Sequence, residues 1–172
     1  MREKIKKLID KVAILDTNVV IDFQRLSCLE IPLQVFSKVF VSGFVVSKEL
    51  PAEVVKKLKD LGYDIANLET EEGYRFFQEL KKFKALSVYD RLVISIAFQE
   101  KIICVSNDKP VRKICKKYGI NSTGTLGILC AAFEKEIISK KELKELIDEY
   151  QSNSGAYVSK DIINEIRRVY NF

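Results

Sequence analysis

The sequence predicts an α/β fold: a central parallel sheet of four to five strands flanked by helices, followed by a helical C-terminal extension. Three observations predict it. Short β-branched runs alternate with longer stretches of helical period, the signature of βαβ units. Three of those runs are apolar throughout, as strands covered on both faces are. Beyond Gly127 no strand-like run recurs and helical periods continue to the end.

In chain order, the first strand reads Val12 to Leu15 and ends at Asp16, and a second reads Val39 to Ser42. Leu50, Val54, Val55, Leu58 and Leu61 form a helical stripe that stops at Gly62. A weaker third strand lies between Tyr63 and Leu68, followed by a helix carrying Phe76, Phe77, Leu80 and Phe83. Ser87 is placed to cap a broad apolar helix with Leu92, Val93, Ile96 and Ala97. The fourth strand, Ile102 to Ser106, ends at Asn107 and Asp108. Val111, Ile114, Cys115 and Tyr118 mark the next helix, which stops at Gly119, and a short fifth strand falls between Asn121 and Thr123. Ser139 and Glu142 form a capping box ahead of Leu143, Leu146, Ile147 and Tyr150. Ser152 to Gly155 reads as a loop, and Ser159 caps a last helix with Ile162, Ile163, Ile166 and Val169. The expected organisation is one domain over residues 1–135 with a helical extension, 136–172, packed on it.

Composition removes several classes of chemistry. The chain has 172 residues, 47% hydrophobic and 31% charged, enough to bury a core without disulfide or metal staples. No apolar run approaches the roughly 20 residues of a bilayer span, and the charged start, MREKIKKLIDK, lacks the apolar core of a secretory signal. A cytoplasmic protein without a membrane partner is expected. Histidine is absent, which excludes histidine-ligated zinc, a Ser-His-Asp triad and imidazole acid–base catalysis. Cys28, Cys104, Cys115 and Cys130 stand singly and read as buried free thiols. Catalysis therefore falls to carboxylates, lysines, tyrosines or a bound metal. The net charge of +5 is compatible with a polyanionic partner.

Four acids share a structural position. Asp16 and Asp108 end two strands, and ligands of parallel α/β sheets bind beyond the carboxyl ends of strands. Asp90, three residues after Ser87, and Glu49, two after Ser47, fall in first turns of helices. Each alone reads as a helix-capping or dipole-stabilising acid, worth about 1 kcal/mol. Converging, they would repel one another and call for a divalent cation, and Mg2+ or Mn2+ suits such oxygen ligands.

Ile14-Leu15-Asp16-Thr17-Asn18, Glu49-Leu50, Leu86-Ser87-x-x-Asp90 and Ser106-Asn107-Asp108 together resemble the ordered signature of PIN-domain nucleases, of which the VapC toxins are one branch. The likeness runs from about Val12 to Thr125, and Gly124 to Leu129 resembles the segment that follows the fourth acid. The resemblance implies a PIN-like three-layer fold, one or two Mg2+ or Mn2+ ions, and endoribonuclease hydrolysis of single-stranded RNA. It assigns Asp16, Glu49, Asp90 and Asp108 as catalytic acids, with Asp16, Asp90 and Asp108 as metal ligands. Thr17, Asn18, Ser106 and Asn107 are the supporting polar residues. Ser106 stands where many members carry threonine. Glu53, four residues after Glu49, competes with it for the second position, and Asp22, six residues past the strand end, is expected to face elsewhere. Toxin-type members form homodimers and are silenced by a small antitoxin, so the resemblance implies both as partners.

From spacing alone, Lys109, Arg112, Lys113, Lys116 and Lys117 make a basic stripe opposite the apolar face of their helix. It reads as an ordinary solvated face or as an RNA-binding track beside Asp108. Surplus apolar surface on the C-terminal helices reads as core, with a dimer or partner face as the alternative. Two rival functions remain: a catalytically silent PIN-like module that binds RNA or protein, and an aspartyl phosphotransferase. The latter favours Asp-x-Asp after the first strand, where this chain has Asp16-Thr17-Asn18. No glycine-rich nucleotide loop is present.

Overall fold

The computed structural model describes residues 1–153 and 158–172. Its sheet has five strands: β1 (Val12–Leu15), β2 (Lys38–Ser42), β3 (Asp64–Ala66), β4 (Ile103–Val105) and β5 (Ser122–Thr123). All pairings are parallel, in the order β3-β2-β1-β4-β5. The chain first builds outward from β1 through β2 to β3, then crosses to lay β4 on the other side of β1. The strand order thus reverses at β1 and β4, where an open parallel sheet presents its ligand crevice.

The period-two geometry of the strands divides the core in two. Ala13, Leu15, Val39, Val41, Ile103 and Val105 point to one face, while Ile14 and Cys104 point to the other. Both faces are dry, which explains strands without polar alternation.

The helices, in order, are α1 (Arg2–Lys6), α2 (Thr17–Arg25), α3 (Glu30–Val35), α4 (Gly43–Glu49), α5 (Ala52–Leu61), α6 (Glu71–Glu79), α7 (Val88–Glu100), α8 (Lys109–Lys117), α9 (Thr125–Glu134), α10 (Lys140–Asn153) and α11 (Lys160–Tyr170). The first face is covered by α2, α3, α5, α9, α10 and α11 through residues such as Phe23, Val35, Leu58, Leu129, Ile147 and Ile166. The second is covered by α6, α7 and α8 through Phe76, Ile94, Ile96 and Ile114. The inner faces of α10 and α11 therefore share one core with β1 and β4. Arg167 of α11 also pairs with Asp148 of α10 at 2.7 Å.

The expected capping box of Ser139 with Glu142 forms, and Ser87, expected as a cap, makes a full capping box with Asp90. Gly62 ends α5 at φ +111°, a conformation L-residues rarely adopt. Several elements differ from expectation. Helices α1, α2 and α3 have no counterpart in the sequence reading, because they are short or carry charge inside their apolar periods. The stripe from Leu50 is two helices, not one: Ser42 caps α4 by accepting the Val45 N–H, and Pro51 forces Leu50 into extended backbone, ending it. Glu49 is accordingly the last residue of α4 and not part of a first turn. Phe83 lies beyond α6, after a 3-10 turn at Leu80–Lys82. Helix α9 starts at Thr125, before Gly127. Ser152 and Asn153 are helical, while Ser154 and Gly155 of the expected loop lie outside the described residues. Ser159 occupies the cap position of α11 without a side-chain capping bond.

Candidate active site

At the sheet's reversal point the backbone fixes the first two acids. The Asp16 N–H donates to the Val105 carbonyl at 2.9 Å, locking the end of β1 to the end of β4. The Asp16 side chain is 7% exposed. Its Oδ1 accepts the Thr17 N–H at 2.8 Å and its Oδ2 accepts the Ser106 hydroxyl at 3.0 Å. The Ser106 oxygen in turn accepts the Asp108 N–H at 3.2 Å. One hydroxyl therefore orients Asp16 and holds the corner that leads into Asp108. Asp108 is the N-cap residue of α8; its side chain makes no close capping bond, although the Val111 N–H on the first turn still favours its charged form.

Asp90 enters from α7, whose first turn reaches this end of the sheet. Its Oδ2 accepts the Ser87 N–H at 2.7 Å, and the capping box fixes the carboxylate. Glu49 arrives at the end of α4, where its Oε1 accepts the Thr17 hydroxyl at 3.1 Å. Of the two candidate glutamates, the one bonded to the residue after Asp16 is Glu49; Glu53 lies in the first turn of α5. Asn18 is exposed.

The acids feel one another. Burial, and then the charges of Asp90 and Glu49, push the Asp16 carboxyl up to about 6 despite the Ser106 and Thr17 donors. Burial and the charge of Asp90 likewise raise Asp108. Asp90 thus acts on both strand-end acids. Among the described residues none of the four forms a salt bridge. Equally, no three acid or thiol side chains there close tightly enough to enclose an ion by themselves. The donor chemistry still fits a hard divalent ion: ionised oxygens, uncompensated by any side-chain cation, of the kind Mg2+ takes one or two of while keeping waters.

Asp22 does not face elsewhere. Also 7% exposed, its Oδ2 accepts Asn107 Nδ2 at 2.7 Å and the Thr125 hydroxyl at 2.7 Å. Asn107 Oδ1 accepts the Thr125 N–H at 2.9 Å, and the Tyr150 hydroxyl interacts with the same carboxylate. This second network ties α2, the corner after β4, α9 and α10 together beneath the crevice. It also consumes the Asn107 amide, which is thereby a clamp on the corner. A sequence signal for it existed: Val19, Asp22 and Phe23 stand at i, i+3 and i+4, which sets a carboxylate on the buried arc of α2.

Lys109, Arg112, Lys113 and Lys116 of α8 join Lys4 along an open groove of about 650 Å³ that runs from the residue after Asp108 away toward Asn121 and Ser122 at β5. Lys109 and Arg112 also border a smaller hollow of about 220 Å³ reached from Asn107. Another hollow, of about 710 Å³, lies at the opposite end of the sheet among Lys11, Val12, Ile102 and Asn121. It is remote from the acids.

A crevice of strand-end and helix-start acids at the reversal point of a parallel three-layer sheet is a nuclease-type architecture. A family model described as a PIN domain matches residues 12–171, and the chain belongs to the PIN-domain family. PIN domains are in general nucleases that use divalent metals. No curated protein matches the sequence. No helix among the described residues is long and apolar enough to cross a membrane.

Proposed function

We propose that this chain is an Mg2+- or Mn2+-dependent endoribonuclease that hydrolyses single-stranded RNA. The observation that carries the proposal is that the charge of Asp90 raises the carboxyls of both Asp16 and Asp108, with Glu49 bonded to Thr17 beside Asp16 and, among the described residues, no salt bridge to any of the four. Asp16, Asp90 and Asp108 would hold the metal. When bound, such an ion lowers the pKa of water and neutralises charge developing on the phosphate. The remaining work belongs to the chain. Ser106 and the Thr17 N–H aim the two oxygens of Asp16. Ser87 orients Asp90 by donating its N–H to one of the two carboxylate oxygens. Thr17 holds Glu49 at the crevice edge, and the groove of α8 supplies Lys109, Arg112, Lys113 and Lys116 to the phosphates of the strand. Asn18, exposed beside Asp16, is available to position substrate. With no histidine in the chain, no imidazole shares this work.

We assign the catalytic part to residues 1–135, with 136–172 as an extension, and infer a toxin-type role with a homodimer and a small antitoxin as partners. The test is cleavage of a single-stranded RNA with Mg2+ or Mn2+ and with EDTA. Wild type should cut only with metal, and Asp16→Asn should not cut while remaining folded. Metal-dependent cleavage by Asp16→Asn at the wild-type rate would reject the site. One observation favours a second reading, a silent RNA-binding module: no three acids enclose an ion among the described residues. RNA binding without cleavage at any metal concentration would select it.

A further inference from the structure

On the side of the crevice away from α8, the chain exposes an apolar patch centred on Phe44, bordered by Tyr89, which is half-buried against the α6–α8 core. Phe44, in the first turn of α4, is 50% exposed and Val88, the first residue of α7, is 45% exposed. Tyr89 stands next to Phe44, with ring centroids 6.3 Å apart and planes tilted by 45°. The Lys48 ammonium, one turn along α4, lies 5.7 Å from the centre of the Phe44 ring. Both helices bring these residues to the rim together with site acids: Tyr89 immediately precedes Asp90, and α4 ends at Glu49.

We infer that Phe44 and Tyr89, with Lys48, form a base-stacking subsite for single-stranded RNA, flanking the acid crevice opposite the basic groove. The inference rests on the nuclease reading for its substrate class. Three features select an unpaired nucleotide over an apolar partner. Aromatic faces stack any base without sequence preference, whereas an aliphatic partner would want a wider apolar patch than two rings and a valine. Lys48, whose ammonium now lies over the Phe44 ring, has the reach to move off that face and meet the phosphate of a stacked nucleotide. And the rings adjoin the crevice, so a strand held by α8 on one side continues onto them on the other. A nuclease gripping phosphates alone would let the strand slide; a base stacked beside the acids fixes its register.

The chain has no tryptophan, so Phe44→Trp puts a single fluorophore on the platform. In EDTA, where no cleavage occurs, a short oligouridylate should quench that fluorescence. Phe44→Ala and Tyr89→Ala should each weaken oligouridylate binding about tenfold at an unchanged salt slope, because a ring releases no counterions. Lys48→Gln should instead flatten the slope by about 0.7. Phe44→Tyr should bind as wild type does. Unchanged affinity in both alanine variants, or a changed oligomeric state with RNA affinity intact, overturns the subsite. These measurements need no catalysis. Failure of the nuclease reading would show separately, as wild-type protein that never cuts with Mg2+ or Mn2+.

Discussion

Replacing Asp16 by asparagine should make the metal-free protein more stable while making it inactive, and the magnitude can be worked from its surroundings. The carboxyl rises from 3.8 to about 6, chiefly by burial. A carboxylate raised in the folded state holds its proton more tightly there than in the unfolded chain. Its charged form therefore costs nothing below about pH 4, costs progressively more between 4 and 6, and costs the full amount above 6. At about 1.4 kcal/mol per unit, the cost at pH 8 is about 3 kcal/mol. Asparagine mimics the neutral acid: its Oδ1 can still accept the Thr17 N–H, and its amide can donate to Ser106. Urea unfolding in EDTA should thus find Asp16→Asn level with wild type near pH 4 and about 1–3 kcal/mol more stable at pH 8, a Tm gain of several degrees for a chain of this length. Millimolar Mg2+ should narrow that gap by stabilising wild type only. A gap independent of pH, or a variant less stable at pH 8, would refute the account of Asp16 as an uncompensated buried charge.

Changing Arg112, Lys113 and Lys116 together to glutamine should lower the salt slope of RNA binding by about 2, at roughly 0.7 per phosphate contact on a single strand; an unchanged slope in a filter-binding series removes the groove from the RNA path. Thr125→Val keeps shape but deprives the buried Asp22 carboxylate of a 2.7 Å donor and should cost about 1–3 kcal/mol in urea unfolding, whereas Thr125→Ser should cost less. Glu134, whose side chain is 2% exposed against Arg2 and Lys6, is held below its usual 4.5 first by the Arg2 hydrogen bond. A depressed carboxyl stabilises the fold above its unfolded pKa and loses that contribution as pH falls, so Glu134→Gln should lower stability by about 1–2 kcal/mol at pH 7. Thermal melts should show the difference closing below about pH 4.

The parallel sheet was legible because its strands carry no polar alternation: Ile14 and Leu15 point to opposite faces and both are buried. The strand-end acids were legible for the same reason, since a carboxylate directly after such a run has nowhere to go but the crevice. Helix boundaries near Pro51 were less so, because the apolar period of Leu50, Val54 and Leu58 runs across a residue that cannot continue α4. The bond from Thr17 to Glu49, which favours Glu49 over Glu53 under the proposed reading, joins residues distant in sequence. The Asp22 network was hidden for a related reason. Its donors, Asn107, Thr125 and Tyr150, come from three separate elements, and no local window contains them.

Asp16 and Asp22 make the point that burial alone does not mark a functional acid. Both are 7% exposed, both lie near the corner after β4, and burial raises both. Asp22 receives Asn107 and Thr125 as side-chain donors, the Tyr150 hydroxyl, and the nearby positive charge of Arg25. Asp16 receives one backbone N–H and one serine hydroxyl, and it faces Asp90 and Glu49. The first environment satisfies a carboxylate and makes it structural. The second leaves its charge without a partner cation among the described residues, at the end of the sheet where the strand order reverses. On the proposed nuclease reading, what would distinguish a binding acid from a scaffolding one is the deficit its neighbours leave, and that deficit is what a divalent ion would fill.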